Sequence, residues 1–266
     1  MPKLKKKKRT RMPELVPYES NDSPDQPFGV AYPFPRPSVT VDCVVFGFDT
    51  ANENDSLQVL LIRRGDAPYK NYWALPGGFV RVGDGIGSQG ESLEDAAKRE
   101  LNEETNINLT YSEQLYTFGQ PDRDPRGRVI TVAYFALVQK TDPICGSEAS
   151  AVIWAGINRV QHMTLAFDHK DILDKALARL RMKIRYEPIG FNLLSPKFTL
   201  AELRHLYEGI LNRKLDVSNF RKHVLATNVL TETGQMQKGQ HRPAPYYRFN
   251  KRAYDHAVRE GFHFEI

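Results

Sequence analysis

The chain has 266 residues, 41% hydrophobic and 26% charged, enough to bury a substantial core. Its net charge of +5 is unevenly spread: residues 1 to 11 carry seven bases and no acid, residues 12 to 180 carry 15 bases and 24 acids, and residues 181 to 266 carry 15 bases and 8 acids. An acidic body between two basic ends excludes a uniformly basic coat for nucleic acid, and two cysteines, Cys43 and Cys145, are too few for a disulfide framework or a Cys-ligated zinc site.

Seven prolines between Pro13 and Pro37 stiffen an extended chain, so residues 1–37 are expected to be a basic, Pro-rich disordered leader. The KKKKR tract within it reads as a solvated tail; contact with nucleic acid or a localisation signal is the sharper alternative. No apolar h-region follows it, and no apolar run approaches the ~18 residues of a membrane span. The expectation is a cytoplasmic protein with no membrane partner.

From Ser38 the texture changes. SVTVDCVVFGF and, after the polar stretch Asp49 to Ser56, LQVLLIRR are dense in β-branched and aliphatic residues and predict two strands. Trp73-Ala74-Leu75 leads into a Pro76-Gly77-Gly78 turn, and Phe79 to Val82 predicts another short strand. A helix is predicted from about Ser92 to Thr105, with Ser92 and Asp95 at capping-box spacing. Further strands are predicted at Gln114 to Phe118, Val129 to Val138 and near Ala151 to Trp154. Strands, a helix, then strands again predict an α+β body whose sheet is not a simple doubly wound one.

Asp168 and Asp171 open a predicted amphipathic helix with Ile172, Leu173, Ala176, Leu177 and Leu180 on one face. A second begins at a Thr199/Glu202 capping box, and a third runs from about Val217 to Ala226 with Phe220 and Val224 inward. TETGQMQKGQHRPAPYYRF then predicts two strands around a Gly-rich basic loop. Helix, helix, helix, hairpin is the order of a winged helix. The predicted division is therefore a first domain over 38–165, a connecting helix over 166–185 and a winged-helix DNA-binding domain over 186–266.

One constellation carries chemistry: Gly85, Glu91, Arg99, Glu100, Leu101, Glu103, Glu104 and Ile107, spaced G-x5-E-x7-R-E-L-x-E-E-x-x-I. At ~100° per residue, Glu100 and Glu104 share a helix face with Glu103 at its border, and Leu93, Ala97 and Leu101 share or adjoin that face. Carboxylates crowded where core residues belong repel one another unless a cation sits among them. Hard oxygen donors suit Mg²⁺ or Mn²⁺. Such ions grip a diphosphate and make water nucleophilic, so Glu100 and Glu104 are the expected primary ligands and Glu103 a secondary one. Arg99, off that face, is expected to orient a partner such as Glu91.

The spacing resembles the Nudix box, and Trp73-Ala-Leu-Pro-Gly-Gly-Phe-Val80 resembles the segment that precedes it in many family members. Asn106 stands where the family has a glycine, a mild exchange at a left-handed helix end. The segments Glu113 to Gly119, Asp122 to Val129 and Ala166 to His169 resemble the Nudix-related transcriptional regulators of NAD metabolism and their ADP-ribose pyrophosphatase relatives. The resemblance implies a Nudix α/β/α sandwich with a mixed sheet, followed by a winged helix. It also implies metals on Glu100, Glu103 and Glu104, ADP-ribose or a related nucleotide as substrate or effector, a homodimer and double-stranded DNA as partner.

The candidate catalytic residues are thus Glu100, Glu103, Glu104, Arg99 and Glu148, the last either a late carboxylate acting as base or ligand, or a solvated loop acid. Candidate substrate-binding residues are Arg63, Gly77, Gly78, Arg126 and Arg128. The two loop arginines read equally as a clamp on a pyrophosphate or as a basic hairpin tip paired with Asp122 and Asp124. Tyr72, Phe118 and Phe135 either stack an adenine or belong to the core. Gly85-Ile-Gly87-Ser-Gln-Gly90 also spells a dinucleotide fingerprint, but the helix after it carries the acid cluster and no alternating strands and helices surround it. Asn219, Arg221 and Lys222 on the third helix, and Lys238, His241 and Arg242 in the hairpin loop, are candidate DNA contacts; the alternative is a protein-binding winged helix with a basic surface. The favoured function is Mg²⁺-dependent hydrolysis of ADP-ribose or a close analogue. An ADP-ribose-responsive transcriptional regulator is the alternative, and an RNA cap hydrolase a third that leaves the C-terminal helices unexplained.

Overall fold

The computed structural model describes residues 36–52, 55–83, 90–109, 111–146, 149–237 and 243–260, so most of the leader lies outside the described residues. The first part of the chain runs β1 (Ser38–Phe48), β2 (Leu57–Arg64), β3 (Trp73–Ala74), β4 (Gly77–Phe79), α1 (Leu93–Thr105), β5 (Tyr111–Phe118), β6 (Val129–Leu137), β7 (Ala149–Gly156), α2 (Ile157–Val160) and α3 (His169–Lys183). A 3-10 helix, Pro188–Leu193, leads into α4 (Leu200–Leu211), α5 (Val217–Ala226), β8 (Leu230–Gln237), β9 (Ala244–Phe249) and α6 (Lys251–Arg259).

From Cys43 to Phe48, β1 reads as a continuous apolar run because helices cover both faces of its sheet. Val41, Cys43 and Val45 meet Ala96, Ala97 and Leu101 of α1, while Val44, Phe46 and Phe48 belong to the core beneath Ile172, Leu173, Ala176, Leu177 and Leu180 of α3. The sheet is mixed: β1 pairs in parallel with β6 and antiparallel with β2 and β4, β2 also pairs β3 and β7, and β5 pairs β6. This is the expected α/β/α sandwich. α3, expected as a connector, forms its second helical layer as well.

The Pro-Gly-Gly signal and the next strand coincide. The strand is Gly77–Phe79 and not Phe79 to Val82, because the glycines themselves pair with β1 at Asp42 and Val41. A Cβ on Gly77 would overlap the Val41 carbonyl oxygen, and one on Gly78 would overlap the Glu100 carboxylate. α2 is held by a long-range cap, with Asp55 accepting from the Asn158 and Arg159 amides at 3.0 and 3.3 Å.

The winged helix shares its core with the sandwich. Leu193, Leu203, Leu206, Ile210, Phe220, Val224 and Tyr247 belong to the same buried cluster as Phe46 and Phe135. Thr199 and Glu202 form the full capping box of α4, Asn212 ends that helix at φ 51°, and the Asp216 side chain caps α5 by accepting from Asn219 N at 2.8 Å. β8 and β9 form the wing, and a bridge between Phe198 and Tyr247 ties it to the approach to α4. Among the described residues no helix is long and apolar enough to cross a membrane.

Candidate functional site

The acid cluster is built where α1 lies over β4. Ser92 caps the helix start through Asp95 N at 3.1 Å, and Asn106 ends it in the left-handed conformation at φ 56°. Glu100 and Glu104 are buried, 8% and 5% exposed, while Glu103 is exposed. Arg99 reaches across the cluster. Its Nε and Nη2 donate to Glu91 at 2.8 and 2.5 Å, and its Nη1 donates to Glu100 Oε1 at 2.8 Å and Glu103 Oε2 at 3.0 Å. Glu91 also accepts from the Arg81 amide at 2.8 Å, Arg81 Nη2 pairs with Glu103 at 3.0 Å, and Glu104 accepts from the Gly77 amide at 2.8 Å. The Arg99 hydrogen bonds hold the Glu91 carboxyl down at about 2, and Glu91 in turn pushes the Arg99 guanidinium up.

Glu100 and Glu103 therefore bracket a positive group already, and that group is Arg99. Their hard oxygen donors have the chemistry a divalent ion requires. Among the described residues no three His, Cys, Asp or Glu side chains are grouped closely enough for a metal cage; Glu103 pairs with Arg81, and Glu104 accepts from the Gly77 amide. Gly85 and Glu148 lie outside the described residues.

Beside the cluster opens a cleft whose walls include Gly77, Gly78, Phe79, Arg64, Arg126 and Phe167. Asp124 holds Arg126 bidentately, Nη2 to Oδ2 at 2.7 Å and Nε to Oδ1 at 3.0 Å, and aims its guanidinium over Phe79 at 5.2 Å. Arg64 lies over Phe167 at 5.0 Å with Nε donating to Pro68 O at 2.8 Å. Burial, and then the nearby Arg126, push the Arg64 guanidinium down, so an anion between the two arginines would relieve their repulsion. Phe167 sits at φ 51°, a left-handed conformation that an aromatic residue rarely adopts, and its ring is thereby turned into the cleft wall.

A buried polar network backs the cleft. Asp42, a carboxylate inside the otherwise apolar run of β1, accepts from Arg123 Nη2 at 3.2 Å, and Arg123 grips Asp168 with Nη2 at 2.7 Å and Nε at 2.9 Å. His169, the first residue of α3, accepts the Leu75 amide on Nδ1 at 2.9 Å and faces Asp42 with Nε2 at 3.5 Å. Burial depresses the His169 pKa, which fits a neutral ring carrying its proton on Nε2.

Of the expected ligand-binding residues, Gly77, Gly78 and Arg126 line this cleft. Arg128 is exposed and donates to Gly119 O at 2.6 Å, and Arg63 is exposed and donates to Asn71 O at 3.2 Å; neither is on the cleft wall. Strand alternation puts Arg64, not Arg63, on the cleft side. Phe135 is core at 0% exposure, Phe118 is half-buried beside Tyr116, and Tyr72 is exposed, so the cleft aromatics are Phe79 and Phe167. In the winged helix, Phe220 and Val224 point inward, leaving Asn219, Arg221 and Lys222 exposed along α5. Lys238, His241 and Arg242 lie outside the described residues.

Residues 36–176 match the NUDIX domain family and residues 190–249 the NrtR DNA-binding winged helix domain. The chain is 40% identical over 241 residues to the ADPR responsive transcriptional repressor NtrR of Acinetobacter baylyi, a match spanning 88% of this chain and 92% of that one. It is 35% identical over 138 residues to an ADP-ribose pyrophosphatase of Methanocaldococcus jannaschii, spanning 52% of this chain and 72% of that one. In three dimensions it resembles Shewanella oneidensis NrtR complexed with a 27mer DNA, with a TM-score of 0.69, 33% identity, and coverage of 85% of this chain and 97% of that one. Matched in both halves and in their order along the chain, the protein belongs to the NrtR family, in which a NUDIX domain precedes a DNA-binding winged helix.

Proposed function

We propose that the protein is an ADP-ribose-responsive transcriptional regulator, a homodimer whose Nudix cleft senses the nucleotide and whose winged helices bind double-stranded DNA. The observation that carries this reading is the continuity between the two. The Leu75 loop that leads into Gly77 and Gly78 is bonded to His169, the first residue of α3, and α3 packs into the core that the winged helix shares. A ligand that repositions Arg126, Phe167 or the glycine loop strains this network, and the strain has a short rigid route to α4 and α5. Arg64 and Arg126 hold the pyrophosphate, Phe79 and Phe167 supply flat apolar walls, and Asn219, Arg221 and Lys222 face the major groove. A near relative named as an ADPR responsive repressor supports the same reading.

The test is fluorescence anisotropy of the full chain on DNA from its own upstream region, with and without ADP-ribose and Mg²⁺, with AMP quantified in the same samples. DNA affinity is expected to change at least tenfold with ADP-ribose. An affinity indifferent to the nucleotide would overturn the sensor reading.

A second reading, hydrolysis of ADP-ribose to AMP and ribose 5-phosphate, is supported by the box acids Glu100, Glu103 and Glu104 on α1, with Glu91 just before it. Glu100, Glu103 and Glu104 would hold Mg²⁺ or Mn²⁺. Such an ion, when bound, offsets diphosphate charge and lowers the pKa of a water. Arg99 positions Glu91, Glu100 and Glu103, Arg126 and Arg64 neutralise the phosphates, and Glu148 is the candidate late carboxylate. Glu104→Gln should then abolish AMP release and leave DNA affinity unchanged; undiminished release by the variant would remove the catalytic assignment.

A further inference from the structure

A cavity of about 380 Å³ lies away from the nucleotide cleft, at the seam between the sandwich and the winged helix. Its walls come from both: Ser56 and Asn158 on one side, Arg181 near the end of α3, Gly209 on α4, and Arg213 with Lys214 in the turn before α5. α4 approaches the β1–β2 loop so closely that a Cβ on Gly209 would overlap Ser56 Oγ, so close packing sets the width of the seam.

The acids of this cavity are committed, whereas its two arginines keep open donors among the described residues. Asp55 accepts the Asn158 and Arg159 amides, while Glu208 accepts from Arg204 Nη1 at 2.5 Å and from Leu215 N at 2.9 Å. Arg181 spends only Nε, on Ile210 O at 2.9 Å, leaving its terminal nitrogens without a partner among the described residues. The Arg213 side chain makes no hydrogen bond or ion pair among the described residues, and Lys214 forms a long ion pair with Glu208 at 3.6 Å. Two planar guanidinium groups with open donors suit a tetrahedral oxyanion, and the volume exceeds what a bare anion fills but matches a small organic ligand.

We propose that this seam cavity is a second ligand site, which takes a small phosphorylated metabolite of sugar phosphate size. Arg181 and Arg213 hold the phosphate, and Ser56, Asn158 and Asn212 meet the polar body. An occupant touches α4 and the turn that starts α5, so it adjusts DNA affinity while the nucleotide cleft stays free.

The test is calorimetric titration of the full chain, without DNA, by ribose 5-phosphate and, as a carboxylate control, by citrate. Saturable binding of one ribose 5-phosphate per chain is expected. Arg181→Lys and the Arg213→Ala/Lys214→Ala pair should each weaken it at least tenfold, with circular dichroism confirming that the variants fold. Arg126→Ala, in the other cleft, should leave it unaltered. Absence of saturable binding, citrate binding as tight as the sugar phosphate, or binding lost in Arg126→Ala and kept in the Arg213→Ala/Lys214→Ala pair would each overturn the proposal.

Discussion

The Nδ1 of His169 accepts the backbone amide of Leu75 at 2.9 Å, joining the first residue of α3 to the loop that becomes β4. Both groups are buried, so the bond is the amide's substitute for water. His169→Ala should strand that amide and cost about 1–3 kcal/mol in urea unfolding. Under the sensor reading it should also reduce the ADP-ribose effect on DNA affinity several-fold while DNA binding without nucleotide stays intact. His169→Asn, whose Oδ1 stands near the position of Nδ1, should restore part of both. A full nucleotide response in His169→Ala would show that the cleft and the winged helix communicate by another route.

Gly78 has no room for a side chain because Glu100 lies against it. Gly78→Ala must push the Glu100 carboxylate away from Arg99 Nη1, now 2.8 Å distant, or separate α1 from β4. The expected cost is about 1–3 kcal/mol, as for other overpacked sites, and ADP-ribose affinity should fall about tenfold with it. Calorimetry on the folded variant checks this; an unchanged affinity would mean that the ligand does not read the spacing between β4 and α1.

The parts of the fold visible in the sequence were those encoded locally. β1, β2 and α5 follow from β-branched runs and from Phe220 and Val224 at helical spacing, and the acid cluster on α1 follows from 100° geometry. What escaped depends on distant partners. α2 owes its cap to Asp55, about a hundred residues upstream, and α6 buries no residue that would mark a core face. The cleft aromatics come from the end of β4, Phe79, and from the loop before α3, Phe167, and no period in the sequence brings them together. One signal was available for the polar network: Asp42, a lone charge inside SVTVDCVVFGF, requires a buried partner, which Arg123 and His169 supply. Arg99 is expected to orient Glu91, and it does, but its planar fork also reaches Glu100 and Glu103, a spread that helix geometry alone does not reveal.

Arg221 and Lys222 are exposed on α5 with the helix anchored behind them by Phe220 and Val224. If each neutralises one phosphate, Arg221→Ala with Lys222→Ala should reduce the slope of log affinity against log salt by about 1.8. Asn219→Ala, by contrast, should relax sequence preference with little change in salt slope, as expected for a base-edge contact. Anisotropy at several salt concentrations on cognate and scrambled DNA separates the two. An unaltered slope in the double variant would place the phosphate contacts elsewhere.

The Arg99–Glu91 pair should govern part of the acid stability. Two hydrogen bonds from Arg99 and one from the Arg81 amide lower the Glu91 carboxyl from 4.5 to about 2 in the folded state. A carboxyl depressed by folding stabilises the protein above its unfolded value, and that contribution is lost as pH falls from 4.5 towards 2. Urea unfolding of wild type and Glu91→Gln, in EDTA to keep metal out, should therefore give a stability gap that is constant above pH 4.5 and narrows below it. Other depressed carboxyls, such as Asp124 and Glu113, occur in both proteins and cancel in the difference. A gap that stays constant to the lowest pH at which both chains fold would mean that the ionisation of Glu91 contributes nothing to the stability that its bonds to Arg99 provide.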